Sequence, residues 1–383
     1  MTSFAVPSAV SPRASITTIF FLFGATLGLW SGSIPTVMAA ASVGAFELGL
    51  GLTAYTIAYV LAMLAGAPLA RLATSRAIFL TALPFMAITA GALFLSATPA
   101  VFFVALTAFG VVLGLHDVLL NAEASRIESD LGRPVFTSFH GAASVGMAIF
   151  AIIGSLLTVE MGLKATALLL ALLVAGGWLL LYSAFPSRRL ALPGPALSEL
   201  PSRTPLVILG LAVGLVITGE TAAMMWSATL LQEQAPRLAA IAGAGAAFFT
   251  LCVAIVRFSG DYIRARAGDI PLLVASLIVA MIGFALIGLS ESFWTSVFAF
   301  ALVGFGTACV VPVIFSLAAG YTTHNRAAAI SFVALVSGLP RALAPWFFGW
   351  VAAGFSTGVA FGLCTAAMAL ALGLVFLLRA GRA

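Results

Sequence analysis

Twelve apolar runs, each long enough to cross a lipid bilayer as a helix, follow one another along this 383-residue chain. A hydrocarbon core about 30 Å thick is crossed by about 20 apolar residues in a helix. The runs cover 16–38, 48–70, 77–97, 100–127, 136–159, 163–185, 205–231, 238–258, 271–289, 292–319, 328–353 and 356–379. Only 8% of the residues are charged and 62% are hydrophobic, whereas a water-soluble domain carries about 25% charged side chains. The solvent must therefore be mostly lipid, where each backbone polar group needs a partner inside the protein. Runs of this length meet that demand as helices. The expected fold is an all-α membrane protein with twelve transmembrane helices.

The sixth and seventh runs are separated by Pro186 to Thr204, which holds Arg188, Arg189, Pro193, Pro195, Pro201 and Arg203. It is the only lengthy polar linker, and it divides the runs six and six. Residues 1–185 are expected to form one six-helix bundle, 186–204 a cytoplasmic linker, and 205–383 a second bundle. A weak internal repeat agrees: Gly110 to Asp117 in the fourth run overlays Gly304 to Val311 in the tenth.

Short loops on the cytoplasmic side of a membrane collect Lys and Arg. With the N-terminus inside, that side holds Arg13, Arg71, Arg76, Arg126, Arg133, Arg188, Arg189, Arg203, Arg257, Arg264, Arg266, Arg326, Arg379 and Arg382. The other side holds Lys164 and Arg237, and Arg341 lies within a span. Both termini are expected in the cytoplasm. The formal charge of +5 does not indicate nucleic acid, because the basic residues are scattered singly. The first run exceeds a signal-peptide core and is followed by many more. Cys252, Cys309 and Cys364 sit far apart in apolar runs and read as packing residues. There is no phosphate loop, dinucleotide fingerprint, zinc spacing or nucleophile elbow. No ATP, cofactor, metal or enzymatic activity is expected.

An ionised side chain at the bilayer centre costs about 2.5–3.5 kcal/mol even on the mildest scale. Four runs nevertheless keep titratable groups. In the fourth, Asp117 and Asn121 are four apart and share a face with Gly110 and Gly114, while His116 and Glu123 occupy a second stripe. In the seventh, Glu220 lies near the middle, followed by Trp226 and Ser227. A carboxyl group without a partner in lipid favours its neutral form, the property that a proton-coupling group needs. In the eleventh, Pro340 and Pro345 flank Arg341 and free backbone carbonyls around it. Arg341 would either pair with Glu220 or hold an anionic substrate. In the fifth, His140 can carry a proton near neutral pH. The alternative for each is a structural hydrogen bond to a neighbouring helix. Gly24, Gly28 and Gly32 in the first run form a small-residue seam for close helix contact.

Taken together, these residues resemble the major facilitator superfamily over essentially the whole chain. More narrowly they are similar to a bacterial inner-membrane branch related to fucose permease. Asp117 and Asn121 match that branch's acid-x-x-x-Asn motif. Gly132-Arg133-Pro134 with Ser138-Phe139-His140-Gly141 resembles its Gly-Arg-Pro…Ser-Phe-His-Gly segment, and Glu220, Trp226 and Ser227 its Glu…Trp-Ser signature. The family loop Gly-x-x-x-Asp-Arg is altered here, since Gly66 leads to Ala70 and Arg71 without the acid. The loop after the eighth run keeps Asp261, Arg264, Arg266 and Gly268. Met225 stands where a second acid often precedes the tryptophan, and no charge occurs in 16–38, where the fucose permease carries an acid.

The resemblance implies a monomeric secondary transporter of the bacterial inner membrane with two pseudo-symmetric six-helix bundles. It would work by alternating access on a small-molecule substrate, coupled to protons. The residues expected to couple protons are Asp117, Glu220 and His140. Those expected to bind substrate are Asn121, Arg341, His116 and Ser227, and those expected to gate are Arg71, Asp261 and Arg264. A proton-driven exporter of amphipathic compounds competes with a sugar or small-metabolite symporter. A membrane receptor or scaffold that does not transport is the reading from another class.

Overall fold

A computed structural model describes residues 11–70, 74–133, 135–184, 203–321 and 326–380. The first half comprises α1 (Pro12–Ala41), α2 (Ala45–Ala70), α3 (Ser75–Phe94), α4 (Pro99–Leu131), α5 (Phe136–Glu160) and α6 (Leu163–Ala184). The second comprises α7 (Arg203–Gln234), a 3-10 turn (Pro236–Ile241), α8 (Ala244–Ala267), α9 (Asp269–Leu289), α10 (Phe293–Thr307), α11 (Val310–Gly320), α12 (Arg326–Gly354) and α13 (Thr357–Ala380). Twelve candidate membrane spans result among the described residues.

The ends of these helices follow local chemistry. Ser11, Thr74 and Thr98 accept from the backbone N–H three residues on and start α1, α3 and α4, with Pro12 and Pro99 at the first positions of α1 and α4. Gly132 ends α4 in the left-handed region at φ 62°, which glycine adopts without steric cost.

Two expected spans are irregular. The tenth run is two helices, broken between Thr307 and Val310. Pro312 lies four residues beyond Ala308 and has no N–H to give its carbonyl. The eighth run opens with the 3-10 turn, and its helix continues to Ala267, well past the expected end at residue 258. Arg257 therefore lies inside α8, whereas the sequence placed it with the loops.

The two halves repeat one packing plan. In the first, α1 lies along α5, α2 along α4, and α3 against α4 and α6. In the second, α7 lies along α12, α8 along α10, and α9 against α10 and α13. Helix association inside lipid has no hydrophobic drive and relies on close packing, so small residues mark the seams. A β-carbon at Gly24, Gly28 or Gly32 would overlap the carbonyl of Ala143, Met147 or Ala151 on α5. The same holds for Gly110 and Gly114 of α4 against the Tyr55 and Tyr59 carbonyls of α2, and for Gly304 of α10 against Phe249 of α8. The faint overlay of 110–117 on 304–311 thus corresponds to one contact made twice.

Between the halves, α2 packs on α12, α5 on α8 and on the 3-10 turn, and α1 on α7. Four hydrogen bonds between described residues cross this boundary. Ser31 donates to the Met224 carbonyl, Ser155 donates to the Ala240 carbonyl at 3.0 Å, Gly243 N–H donates to Ser155 Oγ at 3.1 Å, and Trp346 N–H donates to Thr53 Oγ1 at 2.9 Å. All four lie toward the end that carries the α1–α2 connection. Gly49 against the Pro345 carbonyl, and Gly349 against that of Ala45, seal the same end.

Replacing Gly28 with Leu drives a side chain into the α5 backbone. Overpacking of this kind costs about 1–3 kcal/mol. Thermal unfolding of detergent-purified protein is expected to show a lowered Tm and a reduced monodisperse fraction for Gly28→Leu. Gly176→Leu, where nothing lies within 4 Å of the added β-carbon, is expected to behave like the parent.

Candidate functional site

Asp117 lies near the middle of α4, and Glu220 near the middle of α7. The stripe Gly110, Gly114, Asp117 and Asn121 runs down one face of α4. Its two glycines admit the α2 backbone at Tyr55 and Tyr59, and this close approach brings the Tyr59 phenol to the carboxyl of Asp117. Tyr59 Oη donates to Asp117 Oδ2 at 2.5 Å. Asn121 Nδ2 donates to Asp117 Oδ1 at 2.8 Å and to the Asp117 carbonyl at 2.9 Å. His140 Nε2 on α5 lies 3.0 Å from Asn121 Oδ1.

Because the Asn121 amide nitrogen is committed to Asp117, its oxygen is left to accept, so Nε2 carries the His140 proton in this arrangement. Four side chains from three helices thus form one chain of hydrogen bonds. Asp117 is held by neutral donors only, and it is half-buried rather than sealed. The His140 ring is braced by Phe20 and Phe136, each with a centroid 5.0 Å away.

The opposite wall comes from the second half. A cavity of about 150 Å³ lies between the halves, with His140 and Ser144 of α5 on one side and Glu220 of α7 with Thr250 and Arg257 of α8 on the other. Glu220 is buried and directed toward Thr307 at the end of α10. Neither Glu220 Oε1 nor Thr307 Oγ1 has a hydrogen-bond partner among the described residues. Arg341 of α12 lines a smaller hollow with Thr218, Thr221, Trp226 and Pro345. Its guanidinium is within electrostatic range of Asp117, Tyr59 and Glu220, and Arg257 is within range of Glu220 and His140.

Asp117, Asn121 and His140 therefore come together; His140 lines the cavity opposite Glu220, and Arg341 lies within electrostatic range of Asp117 and Glu220. His116 does not join them. It is fully buried between Phe23 and Phe79, with centroids 5.7 and 5.5 Å away, and neither ring nitrogen finds a hydrogen-bond partner among the described residues. One residue along a helix turns a side chain by about 100°, which carries His116 off the Asp117 face and into the bundle. Ser227 is also buried, packed against Gly245 of α8. The expectation that His116 and Ser227 touch substrate has no support in this geometry. Glu123 pairs with Arg126, which also reaches Asp130 at 2.6 Å.

Arg264 binds Asp269 at 2.6 Å and Ser316 at 2.6 Å, tying α8 to α9 and α11. Arg71 and the Asp261 side chain lie outside the described residues. Tyr59 and Arg257 are additions. Tyr55 and Tyr59, four apart in the second run, carried the signal for the first. The apolar residues that resume after Arg257, at Phe258, Tyr262 and Ile263, carried it for the second.

No protein-family model matches the chain. It is 28% identical over 378 residues to an uncharacterized MFS-type transporter of Yersinia pestis, covering 96% of this chain and 95% of that protein. It is 31% identical over 351 residues to the uncharacterized transporter y4wD of Sinorhizobium fredii, covering 90% and 92%. It is 27% identical over 324 residues to membrane protein MosC of Rhizobium meliloti, covering 82% and 77%. Among solved structures, the nucleoside transporter NupG superimposes with a TM-score of 0.74 at 14% identity, covering 97% of this chain and 99% of that one. The human organic anion transporter MFSD10 does so with a TM-score of 0.63 at 19% identity, covering 96% and 100%. At these identities the structures speak for the fold alone.

The Tyr59–Asp117 bond is testable by a double-mutant cycle. Hydrogen bonds between membrane helices couple by about 0.6 kcal/mol on average and up to about 1.7. Unfolding of Tyr59→Phe, Asp117→Asn and the double variant is expected to give a coupling energy within that range. Strict additivity would mean that the two side chains do not interact.

Proposed function

The chain belongs to the major facilitator superfamily of membrane transporters, and from that membership we propose that it is a proton-coupled carrier of a small solute. It is a multi-pass membrane protein and not an enzyme. The solute site is the central cleft between residues 1–185 and 205–383, and exchange of access between the two membrane faces drives transport. Asp117 is the principal proton carrier, with Glu220 and His140 as partners in proton movement. Asn121 and Arg341 contact the solute from opposite walls.

The observation that carries this reading is the Tyr59–Asp117–Asn121–His140 chain. It keeps a half-buried carboxyl group near the middle of a membrane-spanning helix, without a cation bonded to it, and joins it through Asn121 to His140 on the cavity between the halves. A group placed for structure alone would be expected to pair fully and bury, as Glu123 does with Arg126. The excess of Arg on one side of the spans supports cytoplasmic termini in a bacterial inner membrane. On that orientation, the seal at the α1–α2 end closes the external face, and the state described is inward-facing. Within the superfamily, the Asp117/Asn121 pair and the Glu220…Trp226-Ser227 signature support a relation to the fucose permease branch.

In proteoliposomes with an imposed proton gradient, Asp117→Asn is expected to lower solute-driven proton flux at least 10-fold. Unchanged flux would remove Asp117 from the mechanism, and absence of flux in the parent for every solute tried would favour a receptor or scaffold. Access is read separately. In a chain whose three native cysteines are replaced, Ser144→Cys is expected to react with an impermeant thiol reagent from the cytoplasmic face and to be slow from the outside.

A further inference from the structure

The arginines of this protein divide into two groups. Those near helix ends mostly have partners: Arg126 binds Glu123 and Asp130, Arg264 binds Asp269, Arg76 donates to the Tyr182 carbonyl, and Arg266 lies over the Tyr262 ring. Arg257 and Arg341 sit in the inner part of α8 and α12, half-buried; Arg257 lines the cavity between the halves, Arg341 lines a separate smaller hollow between α7 and α12, and both lie within electrostatic range of Glu220. Neither makes an ion pair or hydrogen bond with another described residue. Desolvated guanidinium groups are costly in lipid, and the planar fork of Arg suits bidentate binding of carboxylate or phosphate. Two such groups are kept where the acids in range do not close on them. Asp117 is bonded to Tyr59 and Asn121, and Glu220 Oε1 has no hydrogen-bond partner among the described residues.

We propose that the cleft takes a small anionic solute whose carboxylate or phosphate group is held between Arg257 and Arg341. This rests on the carrier reading above and names its substrate class. The cavity beside Arg257 and Glu220, about 150 Å³, is smaller than the roughly 300–1,000 Å³ of pockets for drug-sized ligands, which favours a compact acidic metabolite over an amphipathic drug. Glu220, the partner of Asp117 in proton movement, links the proton to the solute. While ionised, it supplies the negative charge that faces both guanidinium groups; once it takes a proton, the solute's anionic group replaces it. Solute and proton then enter together, and the net charge of the cleft is the same before and after.

The test uses the full chain in lipid nanodiscs and matched probes: glucuronate and glucose 6-phosphate, each against glucose, and succinate against succinamide. At least one acid is expected to raise the Tm and to bind 10-fold or more tightly than its neutral counterpart. The carboxylate and phosphate arms report which group is read. Arg257→Gln and Arg341→Gln are each expected to weaken that acid at least 10-fold. Arg257→Lys and Arg341→Lys, which keep the charge but lose the fork, are expected to retain part of the affinity and guard against a folding defect. The assignment is overturned if no acid exceeds its neutral partner, or if well-folded Gln or Lys variants bind the acid as the parent does. The carrier reading fails separately. If an acid binds in this arginine-dependent way but drives no proton flux in proteoliposomes, transport is wrong and the anion site stands. If glucose or succinamide drives flux that the arginine variants leave intact, transport stands and the anion site is wrong.

Discussion

Lipid offers no hydrogen bonds, and that refusal organises the whole molecule. It forces the backbone into helices, sets their length, and leaves each polar side chain to find a partner within the protein or an aqueous opening. Most polar side chains in the spans comply by donating back to their own helix, as Thr26 does to Leu22 and Thr56 to Leu52. Some charged groups find other solutions. Asp117 settles among neutral donors, Glu220 keeps an oxygen without a partner among the described residues, and Arg257 and Arg341 each line a hollow.

The halves share a plan but not a chemistry. In the overlay of α4 on α10 and α11, Asp117 falls on Val311, and Tyr55 of α2 answers Phe249 of α8. The acid-centred hydrogen-bond chain therefore belongs to the first half alone, while the second contributes Glu220, Arg257 and Arg341. Pseudo-symmetry supplies two equivalent frames, and the divergence of a few inward-facing positions gives the cleft walls of opposite character. Glycine seams are the device that keeps the frames alike, because a backbone carbonyl that meets a missing side chain fixes helix spacing whatever surrounds it.

Much of this was legible in the sequence. Twelve runs of the right length specify spans, and the i, i+4 spacing of Asp117 and Asn121 places them together on one face whatever their neighbours. His140 joined them as a candidate because it stood near the start of the fifth span. Contacts between helices were less legible, since periodicity within a helix says nothing about which other helix it meets. Tyr59 was overlooked because its role depends on Gly114 admitting the α2 backbone. His116 was already on a second stripe of α4, but only the packing shows that this stripe meets Phe23 and Phe79. Arg257 was counted with the cytoplasmic segments because it stood next to the expected end of the span, at residue 258, whereas the helix runs on to Ala267. The break in the tenth span follows from Pro312, a local signal hidden inside an otherwise uninterrupted apolar run.

The seal at the α1–α2 end has an energetic corollary. It consists of glycine contacts and four hydrogen bonds donated by Ser31, Ser155, Gly243 and Trp346. At about 0.6 kcal/mol for a typical interhelical bond in a membrane, the four amount to only about 2–3 kcal/mol. Turning a 99:1 preference into its reverse takes about 5.5 kcal/mol. On the proposed carrier reading, the hydrogen bonds of this latch therefore supply less than half of what such a reversal takes, and helix packing must hold the rest of the closure.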